Sequence, residues 1–317
     1  MRLLVIDDNL AGQRLDKLLA NRWPEQSRSE WQKRIEAGSV LVNGQIVKAH
    51  YQLIIGDKLK IVPLSRSATL TRATKLAAST EAAAKAKLKI IATEPDFLVV
   101  NKPAGLLVHD NVWPPRRPTV AAAIAKKYPA ILSLGDSAVR PGIVHRLDKD
   151  VSGLMVIPRT VAMFAYLKRQ FQYRTVKKCY TALVYGVLSK SEGVINFNLG
   201  RSSDGRKMAA RPANQEGKAA LTEYEVIRQW QNYSLLKVVI KTGRTHQIRA
   251  HLAAIDHPLV GDDWYGTNKT KLKNKELNLG RVFLVASELS FLDLQKKRRK
   301  FTIRLPKQLN DLLKQIK

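Results

Sequence analysis

Residues 65–87 divide the chain. The stretch is rich in Ala, Ser, Thr and Lys, has no sustained apolar period, and holds Glu81 as its only acid. A segment with no apolar stripe has nothing to bury and cannot join a core. Its run EAAAKAKLK has helical propensity, so a semi-rigid spacer is expected. The parts before and after it must each close a core of their own. The predicted organisation is therefore a small unit over 1–64, a linker over 65–87 and a larger unit over 88–317.

The first unit reads as two short helices feeding a small sheet. Leu15, Leu18 and Leu19 share one helical face, and Pro24 ends that helix. A second helix is predicted from Ser29, with Gln32 as capping-box partner and Gly38 as its stop. Trp31 and Ile35, one turn apart, should pack inward. SVLV, Asn43-Gly44 and QIVKA form a hairpin signal, and Gly56-Asp57 turns into the strand KLKIV. Arg28, Lys33 and Arg34 fall on the surface of the second helix and are candidate RNA contacts. Asp16 lies within the regular first helix, so no chemistry is assigned to it.

Charge narrows the partners. The chain has 55 Lys plus Arg against 26 Asp plus Glu, a net +29. Such an excess is self-repulsive and points to a polyanion. No apolar run approaches the roughly 18 residues of a membrane span. The start MRLLVIDDN turns acidic too early for a signal peptide. Cys179 is the only cysteine, which excludes an internal disulfide and a cysteine zinc site. A cytoplasmic, monomeric protein that meets nucleic acid is expected.

Chemistry concentrates beyond Leu88. Arg140 to Thr160 reads RPGIVHRLDKDVSGLMVIPRT. A turn at Arg140-Pro141-Gly142 leads into His145, Arg146, Asp148, Lys149 and Asp150, and an apolar strand from Gly153 to Ile157 follows. A polar loop pinned between a turn and a buried strand can present a reactive group. Helices are expected over Thr119 to Tyr128 and Ala162 to Phe171, and a strand over Val176 to Tyr185. Gly200 to Ala220 is a polar, basic excursion in which Arg206, Lys207 and Arg211 suit phosphate contacts. Strands over Thr222 to Arg228 and Ser234 to Lys241 precede TGRTHQIRAHL, Thr242 to Leu252. There, Ile248, Leu252 and Ile255 define a helical face with Arg249 beside it. His246 and His251 stand five apart, not the three or four that put two metal ligands on one helical side, so no metal site is assigned.

HRLDKDVSG resembles the catalytic-loop signature HRLDxxTSG of the RluA-type pseudouridine synthases. His145, Arg146, Leu147, Asp148, Ser152 and Gly153 match; Val151 stands where threonine is usual. NKPAGLLVH, the pattern KxYxAxVxG at Lys178, Tyr180, Ala182, Val184 and Gly186, and GRTHQIRAH also resemble that family. The last continues through His257-Pro258-Leu259 and Gly261-Asp262 to Tyr265-Gly266. The first unit resembles the RNA-binding module of ribosomal protein S-four.

The resemblance implies an α+β fold, with a small N-terminal α/β RNA-binding module and a catalytic domain. The latter has a mixed, mainly antiparallel sheet around a central cleft. It implies isomerisation of uridine to pseudouridine in structured RNA with no cofactor and no energy source. It makes Asp148 the nucleophile, Tyr180 the wall of the uracil pocket and Arg249 the cation beside the carboxylate. Arg146 is counted among the RNA contacts. Large-subunit ribosomal RNA is the preferred substrate, with transfer RNA as the alternative. A non-catalytic RNA-binding protein and an RNA glycosylase are the rival classes; product analysis separates them.

Overall fold

Alternating apolar residues set the strands of the N-terminal unit. In the computed structural model, β1 (Arg2–Val5), β2 (Val40–Val42), β3 (Gln45–Ile46) and β4 (Lys58–Ile61) form a sheet of order β1-β4-β2-β3. The structure describes residues 2–62 and 88–316 except 27, 114, 136, 138, 206 and 213; for Arg2, Ser29 and Lys33 it describes the backbone alone. The predicted linker and Arg206 thus lie outside the described residues, as does the Lys33 side chain.

Helices Leu15–Arg22 and Arg28–Glu36 pack on this sheet through Leu15, Leu18, Leu19, Trp31 and Ile35, all buried. Gly38, at φ +72°, ends the second helix, and Asn43 and Gly44 both have positive φ, as a two-residue hairpin turn requires. Two features were not anticipated. Strand β1 was not predicted, because Leu3 and Val5 face solvent and leave no inward alternation to read. The amide of Gln32, the predicted capping-box partner, reaches Asp16 on the neighbouring helix, a buried carboxylate that needs donors.

The larger unit adds β5 (Lys89–Thr93), β6 (Phe97–Lys102), β7 (Ser152–Pro158), β8 (Lys177–Tyr185), β9 (Glu192–Ile195), β10 (Asn198–Arg201), β11 (Met208–Arg211), β12 (Lys218–Ala219), β13 (Thr222–Trp230), β14 (Tyr233–Ile240), β15 (Leu284–Leu292) and β16 (Arg298–Thr302). Nine of these make one sheet of order β5-β6-β7-β15-β8-β14-β13-β9, with β16 paired to β15. Every pairing is antiparallel except β7 with β15. The basic excursion at 200–220 is not an unstructured loop: β10, β11 and β12 form a small sheet of their own.

Both faces of the central strands are covered, which is why β7 is buried throughout and apolar from Gly153 onward. Met155 and Ile157 of β7 join Tyr180, Ala182 and Val184 of β8 in a core shared with helices Val120–Lys127 and Gln247–Ala254. On the opposite face Leu154 and Val156 meet Met163 and Leu167 of helix Val161–Gln172. Leu183 meets Leu309 and Leu312 of helix Lys307–Gln315 there. Helix Asn268–Leu277, not anticipated, follows the last motif. Among the described residues no helix is long and apolar enough to cross a membrane.

Candidate active site

The loop before β7 is held from three directions. Lys102, fully buried at the end of β6, donates from Nζ to the carbonyls of Pro103 (3.0 Å), Leu106 (2.8 Å) and Lys149 (2.9 Å). The Gly105 amide donates to the same Lys149 carbonyl at 2.9 Å. Burial draws the Lys102 pKa down to about 7, against the pull of Asp150 and Asp148. Three carbonyls around one Nζ nevertheless match the three protons of an ammonium. Beyond the loop, Arg281 donates from Nη2 to Ser152 Oγ at 2.7 Å. Gly153 then passes so close to β15 that a Cβ would lie 2.4 Å from the Ala286 carbonyl oxygen. At φ +130° only glycine enters the strand here.

His145 belongs to this scaffold. Its Nε2 accepts the Val156 amide at 3.0 Å and its ring stacks on Phe171 at 4.6 Å. Burial, aided by the charge of Lys178, pushes its pKa down to about 3, so it stays neutral and able to accept. Val151, where a threonine was the expected residue, is buried in the apolar core. Arg146 points outward and is exposed at the cavity rim.

Loop, β8 and the segment 240–249 line a cavity of about 400 Å³. Asp148 opens into it, with its side chain 19% exposed. Its carboxylate accepts no hydrogen bond among the described residues. Arg249 Nη1 stands 3.8 Å from Oδ2, and His246 Nε2 stands 3.9 Å from the same oxygen. Burial pushes the His246 pKa down despite Asp148, which leaves Arg249 as the charged neighbour. Both residues sit at the start of helix Gln247–Ala254, whose N-terminal partial charge also favours an anion.

Arg249 is itself locked by Asp262, the residue that sequence reasoning left without a role. Nε and Nη2 of Arg249 donate to Oδ2 and Oδ1 at 2.7 and 2.8 Å. The Trp264 and Tyr265 amides complete the set on Oδ1. Burial would lower the Arg249 pKa, but the bonds and charge of Asp262, with Asp148, raise it, so the guanidinium stays charged. The signal was present as the continuation of the GRTHQIRAH motif through Gly261-Asp262. Gln247 fixes the helix start: its side chain accepts from Thr242 Oγ1 at 2.7 Å and donates to the Leu221 carbonyl and Thr222 Oγ1. His246, in the left-handed region at φ +52°, is tied through Nδ1 to the Tyr265 hydroxyl at 3.0 Å, and that hydroxyl accepts the Met208 amide of β11.

Tyr180 forms the opposite wall, 6% exposed. Burial and the charge of Asp148 push its phenol well above the usual range, so it remains protonated at neutral pH. The three predicted residues Asp148, Tyr180 and Arg249 therefore meet in one cavity.

The basic residues named for RNA contact divide. Arg28 is bound to Asp16 and Arg34 to the Val62 carbonyl, so each has an internal partner. Arg211 donates to the Glu216 and Arg201 carbonyls at 3.0 Å and braces the small sheet. Lys207 lies half-buried in the β10–β11 turn. Among those of them whose side chains are described, Arg146 alone reaches the cavity.

Comparison with known proteins agrees with this geometry. Residues 96–254 match the family model for RNA pseudouridylate synthases, and residues 13–59 match the S4 domain. The ribosomal large subunit pseudouridine synthase D of Haemophilus influenzae is 36% identical over 264 residues, covering 83% of this chain and 76% of that protein. The protein of the same name from Blochmanniella floridana is 33% identical over 298 residues, covering 91% and 89%. Among solved structures, the human RNA pseudouridylate synthase domain containing 1 superposes with a TM-score of 0.57 at 26% identity, covering 69% of this chain and 84% of its own. The chain belongs to the RNA pseudouridylate synthase family, and it is a pseudouridine synthase with an S4 domain ahead of its catalytic sheet.

Proposed function

We propose that this synthase isomerises uridines of large-subunit ribosomal RNA and that Asp148 is its nucleophile. The observation that carries the second half is the state of that carboxylate. It lines a cavity that opens to solvent, is faced by a cation at 3.8 Å, and accepts no hydrogen bond among the described residues. A carboxylate left unsaturated beside a fixed positive charge keeps its lone pairs for a reacting carbon. Uridine enters flipped from its stack, at a cost of a few kcal/mol. The glycosidic bond to the ring nitrogen breaks, the ring turns against Tyr180, and the bond re-forms through carbon 5, which gives up its proton to solvent while the freed ring nitrogen takes one up, so the product is an isomer of uridine. Arg249, immobilised by Asp262, stabilises charge on Asp148 without reorganising.

The ribosomal half rests on the names of the two relatives above and on a net charge of +29, which suits a large, folded polyanion. We assign residues 1–64 to RNA anchoring, 65–87 to a spacer and 88–317 to catalysis. Mapping carbon 5–linked uridines in ribosomal and transfer RNA from a deletion strain tests the substrate. Loss confined to large-subunit ribosomal RNA is expected; loss confined to transfer RNA overturns the substrate and leaves the nucleophile standing.

A further inference from the structure

The cations around the cavity differ in what neutralises them. Arg249 is bound by Asp262, Lys241 pairs with Glu223 at 3.2 Å, and Arg244 Nε reaches the Ala219 carbonyl at 3.3 Å. Arg146 and Arg174 are exposed, where water solvates them. Lys178 fits neither group. It is removed from most solvent, yet its ammonium has no hydrogen bond and no ion pair among the described residues. Its one polar comfort is the face of the Phe171 ring, 5.7 Å away. Burial accordingly draws its pKa down to about 8. A desolvated cation without a counter-charge is costly, and such groups cluster at functional sites.

Geometry says what would relieve it. Lys178 precedes Tyr180 by two residues on β8, so both side chains project from the same face, and both line the cavity. Two residues of strand span about 7 Å, comparable with the distance from a pyrimidine ring to its own phosphate. Gly243 lies against Nζ: an added Cβ there would touch it at 3.5 Å, so a side chain at that position would begin to cover the ammonium, and glycine leaves that approach open. Among the described residues Asp148 is the only acid lining the cavity, and no other carboxylate competes for Lys178 there.

We propose that Lys178 binds a phosphodiester adjoining the target nucleotide while the base lies against Tyr180. The proposal rests on the reading that the Asp148 cavity receives the target uridine. It gives the site a reason to accept a nucleotide within a chain and to reject free uridine, which lacks the anion. Occupancy by phosphate supplies the counter-charge that the described residues around Nζ do not.

Single-turnover kinetics on a stem-loop RNA carrying the target uridine test this. Lys178→Met should raise the RNA concentration giving half-maximal rate by about tenfold or more, a larger factor than its fall in saturated rate. Lys178→Arg should recover most of the loss, which separates charge from packing if the methionine variant folds poorly. The deciding probe is RNA with one neutral methylphosphonate linkage on either side of the target. At one of those positions wild type should lose as much as Lys178→Met does, and the variant should lose nothing more. Unchanged binding by Lys178→Met overturns the proposal, as does an equal further loss by both proteins at both linkages. Binding repeated in Asp148→Asn keeps the two readings apart: retained turnover there would sink the nucleophile and leave the phosphate result intact.

Discussion

Leu15-Asp16-Lys17 and Leu147-Asp148-Lys149 are the same three residues in two surroundings. Asp16 is wholly buried in the small unit and accepts from Arg14 through Nε and Nη2, from Arg28 Nε and from Gln32 Nε2. Burial alone would raise its pKa, yet these donors hold it below the usual carboxylate range. Asp148 is partly open, accepts no hydrogen bond among the described residues, and faces its cation across 3.8 Å. A saturated carboxylate has its lone pairs committed and serves packing. An unsaturated one, oriented by a rigid loop, is available to react. The difference lies in the surroundings, since the tripeptides are identical.

The largest effect should come from exchanging each carboxylate for an amide. Asp148→Asn should fold and bind RNA as wild type while turnover falls by more than about a thousandfold, ~4 kcal/mol of barrier. Asp16→Asn should leave the saturated rate alone and cost the small unit about 1–3 kcal/mol, since three donor side chains lose their charged, buried acceptor. Tritium release from carbon 5 reads the first and thermal unfolding the second. Residual turnover of Asp148→Asn within tenfold of wild type would erase the contrast.

Next in size is the clamp on Arg249. Asp262→Asn keeps the shape of the buried pair but removes its charge, so the guanidinium should shift toward Asp148 or loosen. A fall in saturated rate of about a hundredfold, ~2.7 kcal/mol, with RNA binding unchanged, is expected. Arg249→Lys should fare little better, because an ammonium cannot make the two parallel bonds. Normal turnover in both variants would make Arg249 a packing residue like Arg14 and Arg28.

A smaller effect should follow from Lys102, which ties the Asp148 loop to β6. Lys102→Met should lower the saturated rate about tenfold, ~1.4 kcal/mol, by loosening the loop. Its pH signature has a definite sign. With a folded pKa of about 7 against an ordinary 10.5, the unfolded chain binds the extra proton between those values. Stability should therefore rise with pH across that window, by at most about 1.4 kcal/mol per unit. Below pH 7 both states are protonated and the contribution is constant. The methionine variant should lack this rise; denaturant titrations at pH 7 and 9 decide it.

The same contrast explains what could be read in advance. The helical faces of Leu15, Trp31 and Ile248, the Asn43-Gly44 hairpin and the buried strand β7 all announce themselves locally, through period or turn chemistry. Strand β1 does not, because its outward residues are apolar too. Asp148, Tyr180 and Arg249 were found through motif resemblance, and the cavity brings them together. Asp262 and Lys102 were present in those motifs but carried no role, since what they do depends on partners 13 and 47 residues away. Gln32 likewise donates to a buried carboxylate 16 residues back, a contact that its local capping pattern does not announce. Distant pairing is what a one-dimensional reading lacks.

The mildest expected effect concerns the whole small unit. If Asp16 serves architecture and Asp148 chemistry, removing residues 1–64 should leave the saturated rate nearly unchanged. The two units have separate sheets and separate apolar cores, so the remainder should still fold. What should fall is affinity and its salt dependence. Arg14 and Arg28 are 39% and 44% exposed beside Asp16, so their guanidiniums are held in place and still reach solvent. Each phosphate they contact steepens log affinity against log salt by about 0.9 on duplex RNA, taking the DNA value as a guide. The truncated enzyme should therefore bind long structured RNA less tightly and with a shallower slope, while a short stem-loop bearing the target is affected least. A truncated protein that is folded by circular dichroism yet inactive at saturating RNA would place the small unit in the active site. The contrast between the two aspartates would then no longer be one of structure against chemistry.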